Sequence, residues 1–504
     1  MAGDDTNYEP PEVDWDRVPL VPPSDGNSSE APTSPKSPER LGIIAACILL
    51  IILLELGAYL ATIPLNQVLE ENICRRFHPH VPPSSEDDPR CKGKAVQAEL
   101  SIIRGWQSTV DVIPGLLTAV PYGFLADRRG REMVLSLSLV GITLTSACYI
   151  LICALPGVFP PRVTWLSAVF TFIGGGPAVT NAMLFTIAGD VVSPEQRSIT
   201  SYLSAAVVGG ELIASPLVYF LMGVDLWLCI YIGLGCLVLG TGLTFLLPET
   251  LSRQQLPRPP PEDTTASPPW YDTLRSELAN LGQAVSWVLW RDWRVALLLC
   301  TLFVTTLGRF AHEILLQYVT KRYGWSWAQA SLLLSIRAFF TLALFTVLIP
   351  SASYVLVHRW SNSVPGTNLW LARASVMLLT VGAFTIGLST TSIIMMIGLG
   401  IFALGSGYNF LVRSLLASVV ENDHIGMLYT VIGICETVGI LVAGPVLAAS
   451  FRTGMDWGGD IWLGLPYLAA GSLFAMAATA VCLTGLSKLQ HRVVDCEYED
   501  QTGS

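Results

Sequence analysis

Residues 121–132 read Pro-Tyr-Gly-Phe-Leu-Ala-Asp-Arg-Arg-Gly-Arg-Glu and lie between two long apolar runs. Gly123 and Gly130 permit tight turning and close helix approach. An Asp beside a helix N-terminus, with arginines in reach, can hold one conformation through charge and helix-dipole contacts. The plainer reading is a basic turn that only fixes membrane topology.

The flanking runs belong to a longer pattern. Of 504 residues, 52% are hydrophobic and 13% are charged, where a soluble protein carries about 25% charged residues. A bilayer is crossed by about 20 apolar residues. Such runs occur at 41–64, 106–126, 132–155, 163–187, 199–223, 227–247, 294–318, 327–350, 370–389, 391–416, 426–450 and 461–486. The expected fold is therefore an all-α membrane protein with twelve transmembrane helices. Its organisation reads as a disordered cytoplasmic tail (1–40), a six-helix half (41–250), a linker (251–293), a second six-helix half (294–487) and a short cytoplasmic tail (488–504). The linker is Pro-rich from Leu256 to Pro269 and then suits an amphipathic surface helix over 271–290.

A weak internal repeat supports the division into pseudo-symmetric halves. Thr180 to Val192 aligns with Tyr408 to Val420, which pairs Asn181 with Asn409. Outside loop 65–105, Lys and Arg gather on the side that holds both termini, so both are expected in the cytosol. That loop carries six Lys and Arg residues of its own, and long loops follow the rule poorly. It also holds Cys74 and Cys91. On an oxidising side they can form a disulfide, with two free thiols as the alternative.

Gly123, Leu125, Ala126, Asp127, Arg128, Gly130 and Arg131 fit the pattern G-x-L-A-D-R-x-G-R-K, with Glu132 where Lys or Arg is usual. This stretch resembles the loop between the second and third helices of the major facilitator superfamily, and the hydropathy pattern extends the resemblance over nearly the whole chain. The resemblance implies alternating access around a site between the halves. It also implies a conformational latch built from Gly123, Asp127, Arg128, Gly130 and Arg131, joined by Asp190 and Arg197 after the fourth span. Pro248-Glu249-Thr250 ends the sixth span as in many fungal members. The antiporter signature of the fifth helix, G-x-x-x-G-P-x-x-G-G, is met only at its centre by Ala214-Ser215-Pro216, which weakens an export reading. A looser resemblance, to the proton-coupled folate transporter group, rests on the Cys-containing first loop, Glu211, His312 and Val412-Arg413-Ser414. It implies proton coupling and anion binding by buried Glu, His and Arg, and does not license folate as the substrate.

Ionisable groups at bilayer depth cost about 2.5–3.5 kcal/mol on insertion scales and mark a pathway by default. Glu55, Asp111 and Glu211 make the first half acidic there, while Arg309, Arg337 and Arg413 make the second half basic. Burial disfavours the charged form of a carboxyl group, so Glu211, Glu313, Glu436 and Glu55 are candidate proton carriers, with His312 beside them. Arg337, Arg309, Arg413, Asn181 and Asn409 are candidates for substrate binding. Arg309 and Glu313, four residues apart, are placed to pair on one helix face. For Asp111 and Arg413, set nearer the span ends, a structural ion pair is the stronger reading; for Glu211 and Glu436 it is the alternative, with Arg337 or Arg413 as the partner of Glu211.

These readings point to a proton-coupled secondary active transporter of a small organic solute, with an anionic substrate as one option. The alternatives are an exporter of a secondary metabolite or toxic compound and a transporter-like nutrient sensor. No G-x-x-x-x-G-K sequence is present, which argues against an ATP-driven pump. Enzyme activity, a metal, a cofactor and a nucleic-acid partner are not expected. The expected partners are the solute, protons and membrane lipid. The chain is expected to act as a monomer in the plasma membrane.

Overall fold

The computed structural model describes residues 37–79, 88–191, 199–248, 293–360, 363–420 and 425–483. The expected linker helix, the C-terminal tail, Arg197 and most of the N-terminal tail lie outside the described residues. The first helix already begins at Ser37, within the segment expected as tail.

Among the described residues, twelve helices are long and apolar enough to cross a membrane. They are α1 (Gly42–Phe77), α2 (Lys94–Arg129), α3 (Arg131–Ala154), α4 (Pro161–Asp190), α5 (Leu203–Met222) and α6 (Leu226–Thr244) in the first half. The second half has α7 (Trp293–Tyr323), α8 (Trp327–His358), α9 (Pro365–Leu388), α10 (Ser392–Ser418), α11 (Gly426–Trp457) and α12 (Asp460–Leu483). Each expected span overlaps one of them.

The largest departure is at loop 1. Instead of 65–105 it runs only from 78 to 93, because α1 continues to Phe77 and α2 begins at Lys94. Polar side chains hid both extensions from a hydropathy reading. Asn66, Gln67, Glu70 and Asn72 in α1 and Gln97 in α2 are all buried. The helical signal was nonetheless present: Val96, Leu100 and Ile103 recur at i, i+4 and i+7, and all three are fully buried.

Several spans are irregular where the sequence demands it. The first part of α4, Pro161–Phe172, is a 3₁₀ segment, and α-helix starts only at Gly176. Gly174, Gly175 and Gly176 all have positive φ, and a Cβ on Gly174 would come within 2.2 Å of Ser138 in α3. Only glycine fits there. α10 breaks at the matching place, ending one segment at Leu404 and restarting at Tyr408. Tyr408 opens its segment of the sequence repeat, and Gly176 lies four residues before the start of the other at Thr180. α7 contains a 3₁₀ turn, Phe310–Ile314, and α8 a π-helical turn, Leu344–Leu348.

The halves meet along α2–α11 and α5–α8, with smaller contacts of α1 on α8 and α2 on α7. In α2–α11 the backbones touch. A Cβ on Gly105 would lie 2.6 Å from the Gly444 carbonyl oxygen, and one on Gly444 would lie 2.2 Å from that of Gly105. One turn further, the Thr109 hydroxyl donates to the Leu441 carbonyl at 2.8 Å. α4 packs on α1, α2, α3 and α5, whereas α10 packs on α7, α8, α9 and α11.

At the end of the bundle that carries loop 1, the halves are tied by buried polar bonds. The Glu70 carboxylate of α1 accepts from Lys92 Nζ at 2.8 Å and from Trp327 Nε1 of α8 at 2.6 Å. Gln97 of α2 donates to it as well. Gln317 of α7 donates to the Gln97 carbonyl at 2.8 Å, and Lys321 donates to the Lys92 carbonyl. Cys91, next to Lys92, is joined to Cys74 of α1 in a disulfide. Loop 1 is thereby fastened to α1 on one side and to the second half on the other.

Candidate functional site

Two arginine–carboxylate pairs lie within the bundle, one at mid-span and one toward the linker end. Glu211, midway along α5, accepts from Arg337 of α8, with Nε at 3.1 Å. This pair crosses between the halves, flanked by two bonds that hold α8 on α5. Ser331 and Ser335 donate to the Ser215 and Leu212 carbonyls at 3.2 and 3.3 Å. Glu55 of α1 lies against Gly210, where a Cβ would come within 2.7 Å of the Glu55 Cβ. The small residue therefore lets a second acid approach Glu211, and Glu55 is within electrostatic reach of both Glu211 and Arg337.

The second pair lies wholly within the C-terminal half. Glu436 of α11 accepts from Arg413 of α10, with Nε at 3.2 Å, and Asn409 Nδ2 lies 3.5 Å from the same carboxylate. The Thr305 hydroxyl donates to Asn409 Oδ1 at 3.2 Å, which orients the amide. Glu436, Arg413 and Asn409 line a cavity of about 460 Å³ together with Arg309, His312, Phe310, Phe345 and Phe410. Phe345 and Phe410 meet edge to face with centroids 6.2 Å apart.

Arg309 and Glu313 do not pair, contrary to the helical spacing. The 3₁₀ turn Phe310–Ile314 winds α7 more tightly, about 3.0 residues per turn, and carries Glu313 away from Arg309. Glu313 instead faces His312 Nε2 at 3.2 Å and Arg104 of α2 at 3.7 Å. His312 Nδ1 sits 2.8 Å from the Arg309 carbonyl. Asp111 also departs from expectation. The longer α2 puts it midway along the helix, where it accepts from Gln107 at 2.7 Å.

The sequence of residues 121–132 forms only part of the expected latch. Gly130 has φ 115° and turns the chain so that Arg131, opening α3, reaches Asp190 at the end of α4. Asp127 falls on the exposed side of α2, and it has no ion pair among the described residues. Arg128 stacks on the Phe124 ring, 4.0 Å from its centroid. Gly123 has no neighbour that a Cβ would meet, so close helix approach is not its role in this conformation. Of the two asparagines matched by the repeat, Asn409 joins the polar cluster, whereas Asn181 is exposed on α4.

Residues 98–444 match the family model of the Major Facilitator Superfamily. The chain belongs to the Major Facilitator Superfamily. It is similar to the "MFS efflux pump atnC" of Emericella nidulans, with 33% identity across 92% of each chain. It is also similar to the "MFS-type transporter avaK" of Aspergillus versicolor, with 28% identity across 91% of this chain and 95% of that one. Among solved structures, the D-xylose-proton symporter superposes with a TM-score of 0.59 at 15% identity, across 87% of this chain and 96% of that one. That likeness is one of fold. The chain is an integral, multi-pass transporter of this superfamily.

Within that superfamily frame, two functional candidates escaped sequence reasoning. Glu70 and Arg104 both lie in what was read as loop 65–105. The i, i+4, i+7 spacing of Val96, Leu100 and Ile103 would have placed Arg104 on a helix, beside the seam that faces α7. Glu70 carries no comparable signal, since its partners come from loop 1, α2 and α8.

Proposed function

We propose that this protein exports a small organic solute by alternating access, driven by protons. Loop 1 lies outside and both termini lie in the cytosol of a plasma-membrane protein. The disulfide at the loop-1 end suits an oxidising side. The named efflux pump at 33% identity supports export. One chain suffices, since both halves of the site come from it.

The observation that carries the coupling is the Glu211–Arg337 pair, which joins the two halves at mid-span. A proton on Glu211 removes the charge that holds Arg337 and loosens the bond between the halves. Glu55, packed on Gly210, offers a second carboxylate that can share the proton. Protonation at this point thus changes the balance between conformations, which is what coupling requires.

Untargeted mass spectrometry of cells and medium, with the gene present and deleted, tests the direction. The export reading expects a solute that builds up inside the deleted strain. A solute left in the medium would instead establish uptake. That solute, loaded into proteoliposomes, then tests the coupling. Glu211→Gln, which mimics the protonated acid, is expected to keep solute exchange and to lose accumulation driven by a pH gradient. Undiminished accumulation would remove Glu211 from the coupling step.

A further inference from the structure

Arg309, Arg337 and Arg413 of the C-terminal half are not equivalent. Arg337 is neutralised by Glu211, and Arg413 by Glu436. Arg309 has no ion pair among the described residues. The acid whose field reaches it is Glu436, already bonded to Arg413, while Arg337 and Arg413 add positive field. A guanidinium at this depth is costly unless its charge is answered. The cavity it lines holds two arginines, one glutamate and His312, which leaves one net positive charge with the histidine neutral.

The remaining walls narrow the ligand further. Phe310, Phe345, Phe410 and Ile440 give the cavity an apolar side. Phe345 and Phe410 are 40% and 58% exposed, and beyond their edge-to-face contact they leave ring surface for a planar group. Glu436 stands at the cavity wall and opposes a second negative charge. A volume of about 460 Å³ is in the range that encloses a small organic molecule.

We infer that the cavity takes a monoanionic organic acid with a planar apolar body, its carboxylate on Arg309 and its ring against Phe345 and Phe410. Arg309, with five donors in a planar fork, is suited to a carboxylate in bidentate geometry. The ligand supplies the charge that the protein omits. This inference rests on the transport reading only in taking the cavity as the cargo site.

Equilibrium binding to the purified protein in nanodiscs, with no gradient, tests it independently of direction and coupling. The probes are 2-naphthoate, the neutral 2-naphthamide, the cationic 2-naphthylmethylamine and the dianion naphthalene-2,6-dicarboxylate. The acid is expected to bind about tenfold to a hundredfold more tightly than the amide, as a hydrogen-bonded charge implies, and more tightly than the cation or dianion. Arg309→Gln is expected to abolish the preference of acid over amide, and Arg309→Lys to restore part of it. The acid and amide decide the matter on the unmodified protein even where the glutamine variant fails to fold. Failure of the acid to bind, equal binding of acid and amide, or an unchanged preference in Arg309→Gln would overturn the inference. A protein that fails the gradient assay yet prefers the acid would retain this ligand class and lose only the coupling proposal.

Discussion

The two ends of the bundle are held in opposite ways. At the loop-1 end, Glu70 and Gln97 of the first half accept from Trp327 and Gln317 of the second through buried atoms. At the linker end, the ion pair made from the motif loop, Arg131 with Asp190, stays inside the N-terminal half. A bond between halves selects a conformation, because it is lost when they separate. A bond within a half travels with it and selects nothing directly.

The strongest test of that contrast is Glu70→Gln. It removes the charge to which Trp327 donates across the halves, and it leaves Lys92, whose carbonyl holds Lys321, without its carboxylate at a largely buried site, where breaking such a pair costs about 3 kcal/mol or more. Distances between spin labels on the loop-1 ends of α1 and α7 should lengthen in most molecules. An unchanged distribution would make the network incidental to closure. The disulfide comes next. It closes a loop of 17 residues, and removing such a crosslink costs about 3 kcal/mol or less. Cys74→Ser with Cys91→Ser should lower the thermal midpoint and broaden the same distances. A midpoint and distances identical to wild type would show that loop 1 holds itself in place.

Trp327→Phe keeps the ring and deletes the Nε1 hydrogen bond to Glu70. Hydrogen bonds to charged groups contribute about 1.5–3 kcal/mol, so a partial opening is expected, smaller than with Glu70→Gln. Equal opening by both would move the emphasis from charge to Trp327 packing. Asp190→Asn at the linker end removes a partly exposed pair, about 1 kcal/mol or less. It should leave the loop-1 distances unchanged, and a large shift would dissolve the contrast between the ends. The smallest effect concerns pH. Arg90, hydrogen-bonded beside it, holds the Asp88 carboxyl at about 2. Its contribution is complete above the ordinary value of about 3.9 and fades only as pH falls toward 2. The thermal difference between wild type and Asp88→Asn should therefore be the same at pH 7 and pH 5.

The sequence made the twelve spans legible because lipid requires long apolar runs. It hid the ends of α1 and α2, since Glu70 and Gln97 are polar yet buried against each other. It named Glu211, Arg337, Arg413 and Glu436 and offered Arg337 or Arg413 as a partner for Glu211, but did not settle the pairing. That pairing depends on how helices distant in sequence are placed, which periodicity does not encode. Arg309 and Glu313 show the opposite failure: their spacing is right for an α-helix, and a local 3₁₀ turn cancels it. Asn181 and Asn409 show that repeated sequence does not guarantee repeated use.

The contact of Gly105 with Gly444 has a mechanical consequence. Gly105 stands 11 residues from the loop-1 end of α2 and 24 from the linker end, about 16 Å and 36 Å at 1.5 Å per residue. If the halves turn about this touching pair, α2 acts as a lever with unequal arms. A given rotation then sweeps the linker end through roughly twice the distance of the loop-1 end. A narrow gap on one side would then accompany a wide mouth on the other.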